Sequence, residues 1–213
     1  MASFEHTITE VSGLRDHYRD PSHLVQNKAT DHLDDGCRAF IGRSTFVLIG
    51  TSSADGAEDV SPKGGHPGFV RVLDDQRLVI PDLNGNNRLD SIRNIIQNPN
   101  VGLLFLVPER GETLRVNGRA WVSVDDELRD RFSPDYRRPA SVICVEPTAV
   151  FLHCAKCVRR AGLWDPESWR GDGTVPSSGT ILAGHAGLGA EVGAAVDEAL
   201  EEGYTRELAE DRP

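Results

Sequence analysis

Six strand-like segments follow one another between Thr45 and Leu152 with a single confident helix among them, and that order constrains the fold most. Thr45–Thr51 is β-branched and apolar, the pattern of a buried strand. Ser53-Ala54-Asp55-Gly56-Ala57 carries the Asp-Gly signal of a hairpin turn, and the chain returns as a strand over Glu58–Lys63. Gly64, Gly65 and Pro67 interrupt this strand and Phe69–Leu73 resumes it; Arg77–Pro81 is the third. The helix, Asn87–Gln97, has Leu89, Ile92, Ile95 and Ile96 as its apolar face and stops at Asn98-Pro99. Val101–Val107 reads as a central strand. In Glu112–Val124, Leu114, Val116, Gly118, Ala120 and Val122 alternate with Arg115, Asn117, Arg119 and Trp121. A short helix over Asp125–Phe132 and a last strand over Ala140–Leu152, broken at Pro147, complete the set. Such an order predicts a mainly β (α+β) fold, a six-stranded antiparallel barrel with helices at its edges. A doubly wound parallel sheet would need a helix after nearly every strand.

The flanks are plainer. Residues 1–43 predict a polar helical extension with breaks at Gly13 and Pro21. Within it Leu33, Cys37, Phe40 and Ile41 share one face of a helix over Thr30–Ile41, closed by Gly42. The segment from Ser168 is Gly-rich, with a mobile loop expected over 170–179 and a helix from about Glu191 to Glu202.

At 213 residues the chain fits one domain. No apolar run approaches the roughly 20 residues that span a bilayer. Met1–His6 lacks the basic and apolar regions of a signal peptide, so a cytoplasmic protein is expected. The net charge of −10 argues against nucleic acid or an anionic membrane as partner. Ser61–Arg119 is locally richer in Lys and Arg, which leaves room for an anionic ligand there.

Of the four cysteines, Cys154 and Cys157 match C-x-x-C, but no second pair completes a zinc site. The surroundings do not read as a thioredoxin-like unit either, and buried or incidental thiols are expected. No Ser/His/Asp set and no metal cluster emerges from the seven scattered histidines. The chemistry concentrates elsewhere, in Val60-Ser61-Pro62-Lys63-Gly64 and in Ile80-Pro81-Asp82-Leu83-Asn84-Gly85-Asn86-Asn87-Arg88-Leu89-Asp90. A strand broken at proline has unpaired backbone or lies at an edge. A turn rich in Asn and Gly that opens a helix offers backbone N–H groups, amides and a guanidinium to one point, as a phosphate requires. The rival reading of Asn86 or Asn87 is a plain helix N-cap, with Arg88 solvated.

Laid out together, these segments resemble the pyridoxamine 5'-phosphate oxidase-like flavoproteins, the FMN-binding split β-barrels, over roughly residues 30–165. The shared pattern is Asp59-Val60-Ser61-Pro62, Asn86-Asn87-Arg88-Leu89, Asn98-Pro99-Asn100-Val101 and Val116-Asn117-Gly118-Arg119-Ala120. The match is closer to a subgroup of PPOX-type flavoproteins. Its Ser-Pro-Lys-Gly, Pro-Gly-Phe-Val, Ile-Pro-Asp, Gly-Asn-Asn-Arg-Leu-Asp-Ser and Leu-Arg-Val-Asn-Gly stand here at 61–64, 67–70, 80–82, 85–91 and 114–118. His-Cys-Ala-Lys follows at 153–156, with Leu163-Trp164 beyond it. His66 and Ala161 depart from the pattern.

The resemblance implies a helical extension over 1–43, a split-barrel FMN-binding domain over 44–165, and a tail over 166–213 that packs on the barrel or a partner chain. It implies FMN at a homodimer interface. Asn86, Asn87 and Arg88 would hold the phosphate, approached by Ser61, Pro62 and Lys63. Ile80, Pro81 and Asp82 would flank the flavin, with Asp82 on the ribityl chain or capping its own turn. Arg115 would face the partner's cofactor or solvent, and Lys156 and Trp164 belong to the late motif, Trp164 as a cover or as core. The implied activity is an FMN-dependent oxidoreductase of unknown substrate, working at flavin N5 with an NAD(P)H-type donor or a reduced small molecule. A non-catalytic flavin binder, or a deazaflavin or haem in place of FMN, is the competing implication. True pyridoxamine phosphate oxidase activity ranks lower, since an Arg-x-Val-Leu-Leu-Lys strand and a final Arg-Leu-x-Pro are missing.

Overall fold

The computed structural model describes residues 5–169 and 174–213. Its centre is one antiparallel sheet of seven strands, in the order β2-β1-β5-β6-β7-β4-β3. The strands are β1 Phe46–Ser52, β2 Glu58–Gly64, β3 Arg71–Val72, β4 Leu78–Pro81, β5 Asn100–Leu106, β6 Thr113–Ser123 and β7 Val142–His153. Six were expected. The seventh arises because 58–73 is two strands, not one interrupted strand: β2 and β3 take opposite edges of the sheet.

That split forces the sheet to curl. Laid flat, strands about 4.8 Å apart would put the two edges about 29 Å from each other. The residues between Gly64 and Arg71 reach at most about 25 Å fully extended, and they spend part of that on a turn closed by Phe69 N–H to His66 O, 2.9 Å. The sheet therefore wraps into a half-barrel around Val47, Ile49, Leu78, Ile80, Leu103, Phe105, Leu114, Val116 and Ile143, all 1% exposed or less. Alternation along β6 matches the sequence reading, with Leu114, Val116 and Ala120 inside.

β7 does not break at Pro147. Its register with β6 slips there instead: Asn117 faces Ala149 and Gly118 faces Pro147, leaving Thr148 bulged. The bulge accommodates a residue that has no N–H to give to the ladder. Gly118 is obligatory at this crossing, because a Cβ would sit 2.2 Å from the Glu146 carbonyl oxygen.

The helices fill the edges and ends: α1 His23–Gln26, α2 Asp35–Arg43, α3 Asp90–Gln97, α4 Asp126–Asp130, α5 Lys156–Ala161, α6 Ser178–His185 and α7 Gly193–Glu210. The extension expected to be helical over 1–43 is so only in part. Asp34 caps α2 through the Cys37 N–H, so Thr30 to Leu33 lie outside it, and Gly42 lies within it. Leu33 and Ile41 nonetheless enter the core, while 5–27 contributes no buried residue. α3 buries Ile95, but Leu89 precedes the helix at 47% exposure and Ile96 is 72% exposed, so the expected apolar face is only half used. Of the loop expected over 170–179, residues 170–173 lie outside the described residues, and from Ser178 the chain is helical. Cys154 and Cys157 are exposed rather than buried; Cys37, half-buried, has a thiol pushed up to about 11 by that burial. Among the described residues no helix is long and apolar enough to cross a membrane.

Candidate functional site

The curl brings the edge strand β2 round to the end of β4 and the start of α3, and a cavity of about 290 Å³ lies between them. Ser61 to Gly64 form one wall, Phe69 part of the floor, and the run from Pro81 to Ile92 the rest. Pro62 sits opposite Leu48 on a strand paired on one side alone, as a residue without an N–H requires. Alternation along β2 turns Ser61 and Lys63, which pair with the buried Ile49 and Val47, to the inner side.

Lys63 Nζ stands 3.9 Å from Asp82 Oδ1, with both side chains mostly shielded from solvent. Burial raises the Asp82 carboxyl above the usual carboxylate range, and the Lys63 charge restrains the rise. Asp59 Oδ2 accepts from Ser61 Oγ at 3.2 Å and from Ser91 Oγ at 3.4 Å, which ties β2 to the first turn of α3.

The turn itself is strained. Asn87 and Leu89 both have positive φ, 56° and 59°, a region that asparagine tolerates and leucine rarely adopts. Asn86 Oδ1 accepts the Arg88 N–H at 3.0 Å, and Arg88 Nε donates to Asp90 Oδ2 at 2.8 Å. That bond holds the exposed guanidinium firmly charged. Neither Asn86 nor Asn87 caps the helix. The N-cap is Leu89, which has no side-chain acceptor, and among the described residues no side chain caps α3. Among the described residues its first N–H groups thus have no side-chain partner, and Asp90, Ser91 and Ile92 line the cavity.

Eight residues singled out in the sequence meet here: Ser61, Pro62, Lys63, Pro81, Asp82, Asn86, Asn87 and Arg88. Four do not. Ile80 pairs with Ile143 and is fully buried, because β4 is covered on both faces, so it does not flank the cavity. Arg115 lies on β6 opposite Leu104 and Phe151, three strands from β2, with its guanidinium 5.5 Å from the Phe151 ring. Lys156 opens α5 in solvent. Trp164 is held away from the cavity by Nε1–H to Arg110 O, 2.6 Å, at the β5–β6 turn. His66 also stays out: it stacks on Tyr136, whose hydroxyl accepts the His66 N–H at 2.6 Å. Sequence reasoning missed Phe69, Asn84 and the Asp59–Ser91 tie. The last was signalled, since Asp59 and Ser91 both stand within motifs already marked.

Chemically, the helix end, Lys63 and Arg88 offer donors and positive charge for an oxyanion, while Asp82 offers acceptors beside them. Among the described residues no group of His, Cys, Asp and Glu is arranged to hold a metal ion.

A family model described as pyridoxamine 5'-phosphate oxidase matches residues 33–154, more than half of the chain. The chain belongs to this family. The matched span of the pyridoxamine 5'-phosphate oxidase family contains the whole cavity wall and all seven strands. Solved structures similar to the chain include HupZ of Group A Streptococcus, 17% identical over 56% of this chain and 92% of that one, with a TM-score of 0.47. A candidate pyridoxamine 5'-phosphate oxidase from Lactobacillus delbrueckii is 24% identical over 58% of this chain and 98% of its own, with a TM-score of 0.45. A nimc/nima family protein from Clostridium acetobutylicum is 17% identical over 55% and 91%, with a TM-score of 0.40. No curated protein matches the chain.

Proposed function

We propose that this member of a flavin-binding oxidoreductase family binds FMN in the β2–α3 cavity and works as a cytoplasmic homodimeric oxidoreductase on a small molecule. One observation carries the reading. Among the described residues no side chain caps the amino-terminal end of α3, which opens on a cavity that also holds Lys63 and Arg88. α1, α5 and α7 also lack a side-chain cap, so the distinguishing feature of α3 is that its open N–H groups meet the cavity together with Lys63 and Arg88, which an oxyanion can use.

The residues fit the phosphate end of FMN. Arg88 keeps its remaining guanidinium N–H groups after the bond to Asp90, and Lys63 adds a second positive charge across the cavity. Asp82, mostly buried and lacking a hydrogen-bonded side-chain partner among the described residues, can accept from ribityl hydroxyls. At about 290 Å³ the cavity lies at the small end for a cofactor site, so a flat ring system would extend beyond it.

A surface to receive that ring is available on the outer side of the sheet. Phe46, Leu48, Val60, Leu104 and Leu106 alternate with buried residues and face outward, Phe46 at 39% and Val60 at 65% exposure. An apolar sheet face of this extent supports a second copy of the chain as its cover. Arg115, on the same outer face, would then lie in the interface and reach the partner's cofactor.

When bound, FMN supplies two-electron transfer at N5. The chain's part is to grip the phosphate, orient the ring and set the charge near it. The test is an absorption spectrum of the purified protein with mass analysis of the released ligand, followed by NAD(P)H addition. A flavin spectrum that bleaches with the donor and returns with an acceptor supports the oxidoreductase. A bound flavin that no donor reduces points to a flavin carrier, and released deazaflavin or haem replaces the cofactor.

A further inference from the structure

The last turn of α7 reaches the wall of the cavity. Asp211 Oδ1 accepts the backbone N–H of Asn84 at 3.1 Å, and the Glu207 carbonyl accepts from Asn84 Nδ2 at 3.4 Å. The Asp211 carbonyl in turn accepts the Arg137 N–H at 2.7 Å. One residue near the end of the chain therefore joins two loops that are remote in sequence: 82–89, which carries the cavity wall, and the segment after α4. The acceptors of these bonds, Glu207 and Asp211, lie outside the matched family span, whereas the donors lie within it.

α7 has few other holds. Only Gly193 among its eighteen residues is buried, and its main packing partner is α6, itself outside the barrel. The loop it touches has two non-glycine residues at positive φ within three positions. A turn in that conformation returns to ordinary backbone angles unless neighbouring contacts hold it. Asn84 lies just ahead of it, with both its backbone N–H and its side-chain amide committed to α7.

We propose that Asp211 is a positioning residue for the cavity. By accepting the Asn84 N–H, it fixes the approach of the 84–89 turn and so the direction of the Arg88 and helix-end donors. A tail outside the barrel thus sets the affinity of a site inside it. The affinity part of this inference rests on the FMN reading; the part concerning the turn does not.

The sign of the effect separates positioning from charge. If the Asp211 carboxylate acted only as a negative charge near an anion site, removing it would tighten FMN in Asp211→Ala and Asp211→Asn alike. If it acts by accepting a hydrogen bond, the Asn variant retains an acceptor oxygen and the Ala variant does not. The experiment measures amide hydrogen exchange at Asn84 in the unliganded full chain, and FMN affinity by flavin fluorescence, in both variants. Asp211→Ala should speed Asn84 exchange and weaken FMN by about fivefold each, the worth of about one hydrogen bond. Asp211→Asn should stay within about twofold of the unaltered chain in both readouts, its hydrogen bond being retained. A chain lacking residues 211–213 loses the Arg137 bond as well, so its Asn84 exchange and FMN affinity should change at least as much as in Asp211→Ala, and it serves as the second variant should Asp211→Ala misfold. Unchanged Asn84 exchange in Asp211→Ala, or FMN tightened equally by both substitutions, overturns the proposal. If the unaltered protein binds no FMN, the cofactor reading fails while the exchange comparison still decides the role of Asp211.

Discussion

Lys63 and Asp82 face each other at 3.9 Å although they belong to opposite ends of the sheet, one on the edge strand β2 and the other just after β4. Four strands intervene between β2 and β4 in the sheet order. The pair therefore exists only because the sheet curls.

The pair also has a pH signature. Burial raises the folded-state pKa of Asp82, so its ionisation costs stability, and the cost appears as pH climbs above the ordinary aspartate value of about 3.9. Below that value Asp82 is protonated in both folded and unfolded chains and the cost is absent. Asp82→Asn should melt higher than the unaltered unliganded protein at pH 7, by about 2–4 °C if the gain is about 1 kcal/mol. The difference should shrink towards zero as pH falls below about 4. Thermal melts across that range check it; a gap that widens on acidification would reverse the sign.

Arg88→Ala should weaken FMN binding by more than about tenfold, because a charge-assisted contact contributes about 1.5–3 kcal/mol. Fluorescence titration at low salt measures it. Arg88→Lys should recover only part of the loss, since a point charge cannot reproduce the guanidinium fork.

Gly118→Ala tests the bulge. The new Cβ would meet the Glu146 carbonyl oxygen at 2.2 Å, and backbone rather than a flexible side chain must yield. A loss of about 2–3 kcal/mol in denaturant unfolding is expected. A variant as stable as the parent would mean that β7 can take another register.

Leu104→Asp should disrupt self-association. Leu104 lies on the outer face in the middle of the sheet, opposite Leu48 and Arg115, so the substitution leaves the inner core untouched. Sedimentation equilibrium should show the dissociation constant of the proposed dimer rising by about tenfold or more, as taking a carboxylate out of water into an apolar face implies, with the facing Arg115 offsetting part of the cost.

Much of the architecture was legible because alternation is a local signal. Val116 and Ala120 against Arg115 and Arg119 declare which face of β6 is inside, whatever the rest of the chain does. Pro62 likewise signalled a strand that is locally unpaired or at an edge, and β2 is an edge strand. What the sequence could not announce was where an interrupted strand goes next. Gly64 to Pro67 read as a break within one strand, yet the chain crosses there from one edge of the sheet to the other, a choice made by distant partners. The helix start, expected at Asn87, lies at Asp90 for a related reason: the left-handed backbone at Asn87 and Leu89 moves it past the asparagines. Arg115 and Trp164 lie in the right motifs but away from the cavity of their own chain, and motif order carries no information about that separation.

The insertion of β7 between β6 and β4 has a consequence for biogenesis. A nascent chain emerging from the ribosome can assemble β1, β2, β5 and β6 as they appear, but β4 and β3, paired until then only with each other, cannot join that sheet until the first residues of β7, Val142 to Val145, are out. The ligand crevice is thus among the last things to exist, and a captured cofactor certifies that synthesis has reached the last strand of the barrel.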